Sequence, residues 1–198
     1  MTRQGLCMVR RYTALPSPDM REILRYAGVR EADEATLALL GDCIREAEGV
    51  ISPAVCFREY PAEIEGDECS LGFAEVRSHA LARNLDGCGS VILFAATLGI
   101  QADRLILRYS RISPSRAVLL DAFFTERIEV LCDTFEKEMT KGKESRPRFS
   151  AGYGDLPLDF QKDIFRALSP EKHIGLTLNE SMLMSPTKSV TAIIGREP

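Results

Sequence analysis

Histidine is scarce in this chain: only His79 and His173 occur in 198 residues, and neither has a cysteine or second histidine at ligand spacing. The six cysteines (Cys7, Cys43, Cys56, Cys69, Cys88 and Cys132) are scattered, with no CxxC pair. Together they give no basis for a zinc site. Long apolar runs are missing too. The longest, 91–100, is interrupted by Thr97 and Gly99 and falls far short of the ~20 residues a membrane helix needs. The basic residues near the start have no apolar run behind them, so they do not read as a signal peptide, and reduced thiols in a cytoplasmic protein are expected. Excess positive charge is also absent. Lys+Arg number 25 against 29 Asp+Glu, so the net charge of 25 − 29 = −4 sets aside nucleic acid and anionic membrane as main partners.

What is present is an ordinary globular composition, 45% hydrophobic and 27% charged. At roughly 150 residues per domain the length fits one unit, and such a chain buries about 70% of its unfolded surface. No repeat or low-complexity tract divides it. The reading is a single unit over 1–198, with a helix-and-strand portion to about 140 and a loop, helix and terminal hairpin over 141–198.

Ser17-Pro18-Asp19 offers a cap, a proline and an early acid for a short helix closed by Gly28. Leu37, Leu40, Ile44 and Ala47 share a face of a longer helix over 31–48. Residues 54–60 alternate like a half-buried strand, with 71–76 as its expected neighbour. Ser78 caps a helix ending near Gly87, 90–96 reads as a buried strand, and 101–110 as a helix. Strands and helices alternate without regular βαβ spacing, which gives an α+β class, an antiparallel sheet with flanking helices.

From Ser113-Pro114, the residues Ala117, Leu120, Phe124, Ile128, Leu131, Phe135 and Met139 trace one apolar stripe of a long helix. A second face carries Val118, Ala122, Thr125, Glu129 and Cys132. Glu129 is either a solvated glutamate or a partly buried acid that needs a cationic partner. A charged connector, 141–147, then breaks the helix as a solvated loop or a small basic patch.

The segment Arg148-Phe149-Ser150-Ala151-Gly152-Tyr153-Gly154-Asp155-Leu156-Pro157 follows. It is a structural turn or a ligand loop. An arginine there can hold a carboxylate by two hydrogen bonds. Glycines let the backbone approach a ligand, and a tyrosine offers an aromatic face with a hydroxyl. A zwitterionic amino acid joined to a nucleoside would use all three. The chain continues through a helix over 158–168, a turn from Ser169-Pro170-Glu171 stopped by Gly175, and two strands, 176–184 and 189–194, joined by a turn at 185–188.

Three blocks in this order, the one from Arg148 to Pro157, Glu171-Lys172-His173-Ile174-Gly175-Leu176-Thr177-Leu178-Asn179-Glu180-Ser181 and Met184-Ser185-Pro186-Thr187-Lys188-Ser189-Val190, resemble the activation domain of cobalamin-dependent methionine synthase, and more closely its short stand-alone relatives. The resemblance is strong over 148–195 and looser over about 20–140, where Leu93-Phe94-Ala95-Ala96-Thr97-Leu98-Gly99 also matches. It implies S-adenosylmethionine binding through Arg148, Phe149, Gly152 and Tyr153, with Glu129 supporting the arginine or the ligand's amine and Glu126 as the competing choice. A further family acid aligns to Gly142, with Glu144 as its substitute. Glu180, Ser181 and the 184–186 segment are expected on the face that meets the cobalamin.

The implied function is a reactivation module that aims the methyl of S-adenosylmethionine at a cobalamin carried by a partner chain, for its reductive methylation. The implied partners are a cobalamin-binding methionine synthase or a related corrinoid protein and a flavodoxin-like electron donor. No catalytic nucleophile or base is expected on this chain, because the sulfonium already activates the methyl. The alternatives are an activator of another corrinoid methyltransferase, an autonomous S-adenosylmethionine-dependent enzyme, for which the strand-linked glycine loop and any Cys/His or Ser/His pair are missing, and a scaffold that has lost the ligand.

Overall fold

The apolar run at 91–96 is buried on both sides because it runs up the middle of the protein. Ile92, Phe94 and Ala96 point into one hydrophobic core, and Val91, Leu93 and Ala95 into a second on the opposite face. The two-residue repeat of an extended chain requires this split, and it explains why the run carries no polar alternation. The computed structural model describes residues 7–140 and 145–197.

Chain order is β1 (Met8–Arg11), α1 (Met20–Tyr26), α2 (Glu34–Glu48), β2 (Ala54–Pro61), β3 (Glu63–Glu65), β4 (Glu68–Ser70), β5 (Glu75–Arg77), α3 (His79–Asn84), β6 (Ser90–Thr97), α4 (Ile100–Ile112) and α5 (Pro114–Met139). A 3-10 turn (Leu158–Phe160), α6 (Gln161–Leu168), α7 (Pro170–Ile174), β7 (Thr177–Leu178), β8 (Met184–Ser185) and β9 (Ser189–Arg196) complete it. The main sheet has the order β1-β2-β6-β9, and its neighbouring strands are antiparallel. The fold is α+β, with helices over both faces of the sheet.

The first core joins the sheet to α1, α2, α4 and α5 through Ile23, Leu40, Leu105, Phe124 and Phe135. Phe135 lies 5.0 Å from both Phe57 and Phe94, ring centre to ring centre. Each such pair adds about 0.5–1.5 kcal/mol beyond its area burial. The second core gathers Leu81 of α3, Ile164 and Leu168 of α6, and Phe160. No helix among the described residues is long and apolar enough to cross a membrane.

Several local expectations are corrected. Asp19, not Ser17, caps α1: its carboxylate accepts from the Arg21 and Glu22 N–H groups, so Pro18 lies before the helix. Of the expected strand over 71–76, residues 71–74 form a turn and Glu75 and Val76 begin β5, which pairs with β4, while β2 pairs with β1 and β6. The 158–168 helix starts with a 3-10 turn. The expected terminal hairpin does not form: β7 and β8 make a small ribbon of their own, while β9 crosses back to pair with β6. An eight-residue, largely apolar strand gains far more by pairing with buried β6 and covering both cores than from a polar, turn-rich neighbour. The connector at 141–144, with Gly142 and Glu144, lies outside the described residues.

This topology places the segment that carries Arg148. Residues 145–149 run along the outer edge of β9, bridging at Ser145 to Arg196 and at Phe149 to Ile193. Phe149 turns into the second core with Ile193. Arg148, its neighbour in an extended segment, faces the other way, toward α5.

Candidate functional site

Three turns of α5 supply acids to one arginine. Arg148 Nη2 donates to Glu129 Oε2 at 2.7 Å, and Nη1 donates to Asp133 Oδ1 at 2.5 Å and to Glu136 Oε2 at 3.1 Å. Positions 129, 133 and 136 are four and three residues apart, so the helix stacks them on one side. The arginine is largely covered, with 23% of its side chain exposed. Burial opposes its charge, but the hydrogen bonds it donates to Asp133 and Glu129 outweigh that and hold its pKa above the usual value. One cation against three carboxylates leaves the cluster at 1 − 3 = −2.

Beyond Arg148 the chain makes a tight glycine turn. Gly152 has φ +89 and Gly154 φ +56, and a Cβ on Gly154 would lie 2.6 Å from the Ala80 Cβ. The Gly152 N–H donates to the Leu156 carbonyl and the Leu156 N–H to the Tyr153 carbonyl, both at 3.0 Å. Asp155 pins the turn to the start of α3. Its carboxylate accepts from the Ser78 hydroxyl at 2.6 Å, the His79 N–H at 2.8 Å and the Ala80 N–H at 3.0 Å. Those donors, the Ser78 hydroxyl first, lower its pKa to about 2. Tyr153 is thereby held outward, 62% exposed, its ring edge-on to Phe149 at 6.3 Å.

Of the residues anticipated from sequence, Arg148 and Glu129 meet at α5, while Phe149, Gly152 and Tyr153 follow on the other side of the strap, Phe149 against the second core and Tyr153 edge-on to it. The N–H and carbonyl of Phe149 are both taken by Ile193, each at 2.8 Å. Glu126 does not support Arg148. It is buried on another side of α5 and paired with Arg127. Glu180 and Ser181 sit exposed in the β7–β8 turn, where Asn179 Oδ1 accepts from the Ser181 N–H at 2.9 Å. No contact joins them to Arg148 among the described residues. Asp133 and Glu136 are new, and their signal was their spacing from Glu129.

Burial pushes the Cys132 thiol, within reach of the cluster's charges, far above the range where a thiolate forms. A cavity of about 630 Å³ lies elsewhere, against residues 11–15, 51–53 and Arg127.

No protein-family model and no curated protein matches the sequence. Among solved structures, the crystal structure of the MetH reactivation domain bound to AdoHcy superposes with a TM-score of 0.65, over 98% of this chain and 79% of that one, at 16% identity. The fold is that of the MetH reactivation domain. At this identity the likeness to the MetH reactivation domain establishes architecture, and the site must be argued from its own residues.

Proposed function

We propose that this chain is an S-adenosylmethionine-binding reactivation module serving a corrinoid protein on another chain, either a cobalamin-binding methionine synthase or a related corrinoid methyltransferase. One observation carries the proposal. Arg148, fixed by three carboxylates of α5, leads straight into a rigid glycine turn that holds Tyr153 outward. In support, the solved structure with the same fold holds AdoHcy.

The residues suit such a ligand. A corner with charge −2 favours a molecule bearing a sulfonium and an ammonium, and the exposed Tyr153 face suits a flat heterocycle or a cation. The ligand supplies an already activated methyl group. What the chain contributes is position: the acids of α5 orient the cationic end, and the turn at 152–154, its glycines packed against Leu158 and Ala80, holds Tyr153 out to meet the ligand. No proton needs to move on this chain. A flavodoxin-like donor would supply the electron for reductive methylation on the partner, with Glu180 and Ser181 toward that partner.

Calorimetric titration of the full chain with S-adenosylmethionine tests the reading. Saturable one-to-one binding is the expected result. No binding, either alone or mixed with a cobalamin-loaded methionine synthase, would overturn it.

A further inference from the structure

The polar side of α5 extends beyond the arginine cluster. Asp121, Thr125, Glu129, Asp133 and Glu136 recur at steps of three and four and form one stripe. Two cations meet it. Arg148 takes the C-terminal part, through Glu129, Asp133 and Glu136. Lys188 takes the N-terminal part: its Nζ donates to Thr125 Oγ1 at 2.9 Å and lies 2.8 Å from Asp121 Oδ1. Thr125 and Glu129 are one helical turn apart, about 6 Å along the axis, so the two cations flank a single turn.

They differ in what they have left to give. Arg148 is outnumbered by three carboxylates. Lys188 faces one, on a half-exposed aspartate, and its three ammonium donors have two partners. Its backbone is fixed in advance. The Thr187 N–H and hydroxyl both donate to Asp103, at 2.8 and 2.6 Å, and the Lys188 carbonyl accepts from the Leu98 N–H at 3.1 Å. The side chain is 13% exposed, so a charge-assisted hydrogen bond there is poorly screened by water. A prepositioned cation with a donor to spare is a better seat for an anion than one already neutralised.

We infer that Lys188, not Arg148, receives the carboxylate of the bound ligand. Arg148 is then a positioning residue that holds the α5 acids toward the ligand's cationic centres. This inference rests on the reading that the chain binds S-adenosylmethionine. The stripe's charge, two cations against four acids or 2 − 4 = −2, complements that ligand, whose ammonium and sulfonium outnumber its one carboxylate.

The experiment compares Lys188→Gln and Lys188→Arg with the wild type in titrations with S-adenosylmethionine and with decarboxylated S-adenosylmethionine, after thermal melts confirm that each variant folds. Lys188→Gln is expected to weaken S-adenosylmethionine binding by roughly 10- to 100-fold. It should leave the decarboxylated ligand bound as before or tighter, and Lys188→Arg should restore most of the loss. Equal losses for both ligands, or no loss for either, would overturn the role of Lys188 while leaving the S-adenosylmethionine reading intact. A wild-type chain that binds neither ligand removes that reading itself, and this inference with it.

Discussion

Arg127 Nε lies 2.5 Å from Oε2 of Glu126, its sequence neighbour, and both side chains are almost wholly buried, at 3% and 4% exposed. The pair is a latch for the segment entering α1. Arg127 Nη1 donates to the Pro16 carbonyl at 2.5 Å, and Glu126 Oε1 accepts from the Asp19 N–H at 3.0 Å. Arg127→Met strands a carboxylate in the interior and is expected to cost about 3–5 kcal/mol. Replacing both, as Glu126→Leu with Arg127→Met, should recover most of that. Urea unfolding of the single and double variants checks this, and a single variant that loses under about 1 kcal/mol would contradict it.

Acid should loosen the glycine turn at 152–154 through Asp155. Its pKa falls from 3.8 to about 2 on folding, because the Ser78 hydroxyl and the Ala80 and His79 N–H groups favour its charged form. A depressed carboxylate contributes stability that is fully present above the unfolded value of 3.8 and is lost as pH falls through about 2. Asp155→Asn should therefore be less stable than wild type at neutral pH, with the gap closing between about pH 4 and 2. Denaturation midpoints at pH 7, 4 and 2.5 would show it; a gap independent of pH would not fit.

Arg148→Ala releases three carboxylates from their shared partner. Binding of S-adenosylmethionine should weaken by about 1.5–3 kcal/mol, and the decarboxylated ligand should suffer similarly, because the loss acts through the acids. Glu129→Gln leaves Asp133 and Glu136 on the arginine and should cost less, about 0.5–1.5 kcal/mol. Calorimetry distinguishes the two. An Arg148→Ala chain that binds like wild type would remove this corner from the ligand's site.

Residue periodicity carried most of the local structure. The stripe from Ala117 to Met139 and the run at 91–96 signal a long helix and a doubly covered strand, and both are present in the fold. Non-local pairing was not legible. Nothing in 189–196 says that its partner is β6, a hundred residues earlier, rather than the adjacent 176–184, because strand pairing is decided by which cores need covering. Competing caps were also opaque, since Ser17 and Asp19 are both good ones and the Glu126 latch to the Asp19 N–H favours the second. At the site, Arg148 and Glu129 were legible as a pair. Lys188 escaped notice because a lone lysine in a turn looks solvated until Thr125 and Asp121 are seen beneath it.

The strap at 145–149 does more than deliver an arginine. Ser189–Arg196 is a largely apolar strand at the margin of the sheet, and its outward backbone groups at Ile193 and Gly195 are met by Phe149 and Arg146 of that strap. A bare edge of this kind recruits strands from other molecules. The segment that carries Arg148 therefore also shields part of this edge, and if the proposed ligand tightens it, binding should slow clumping of the protein on storage as well as raise its melting temperature.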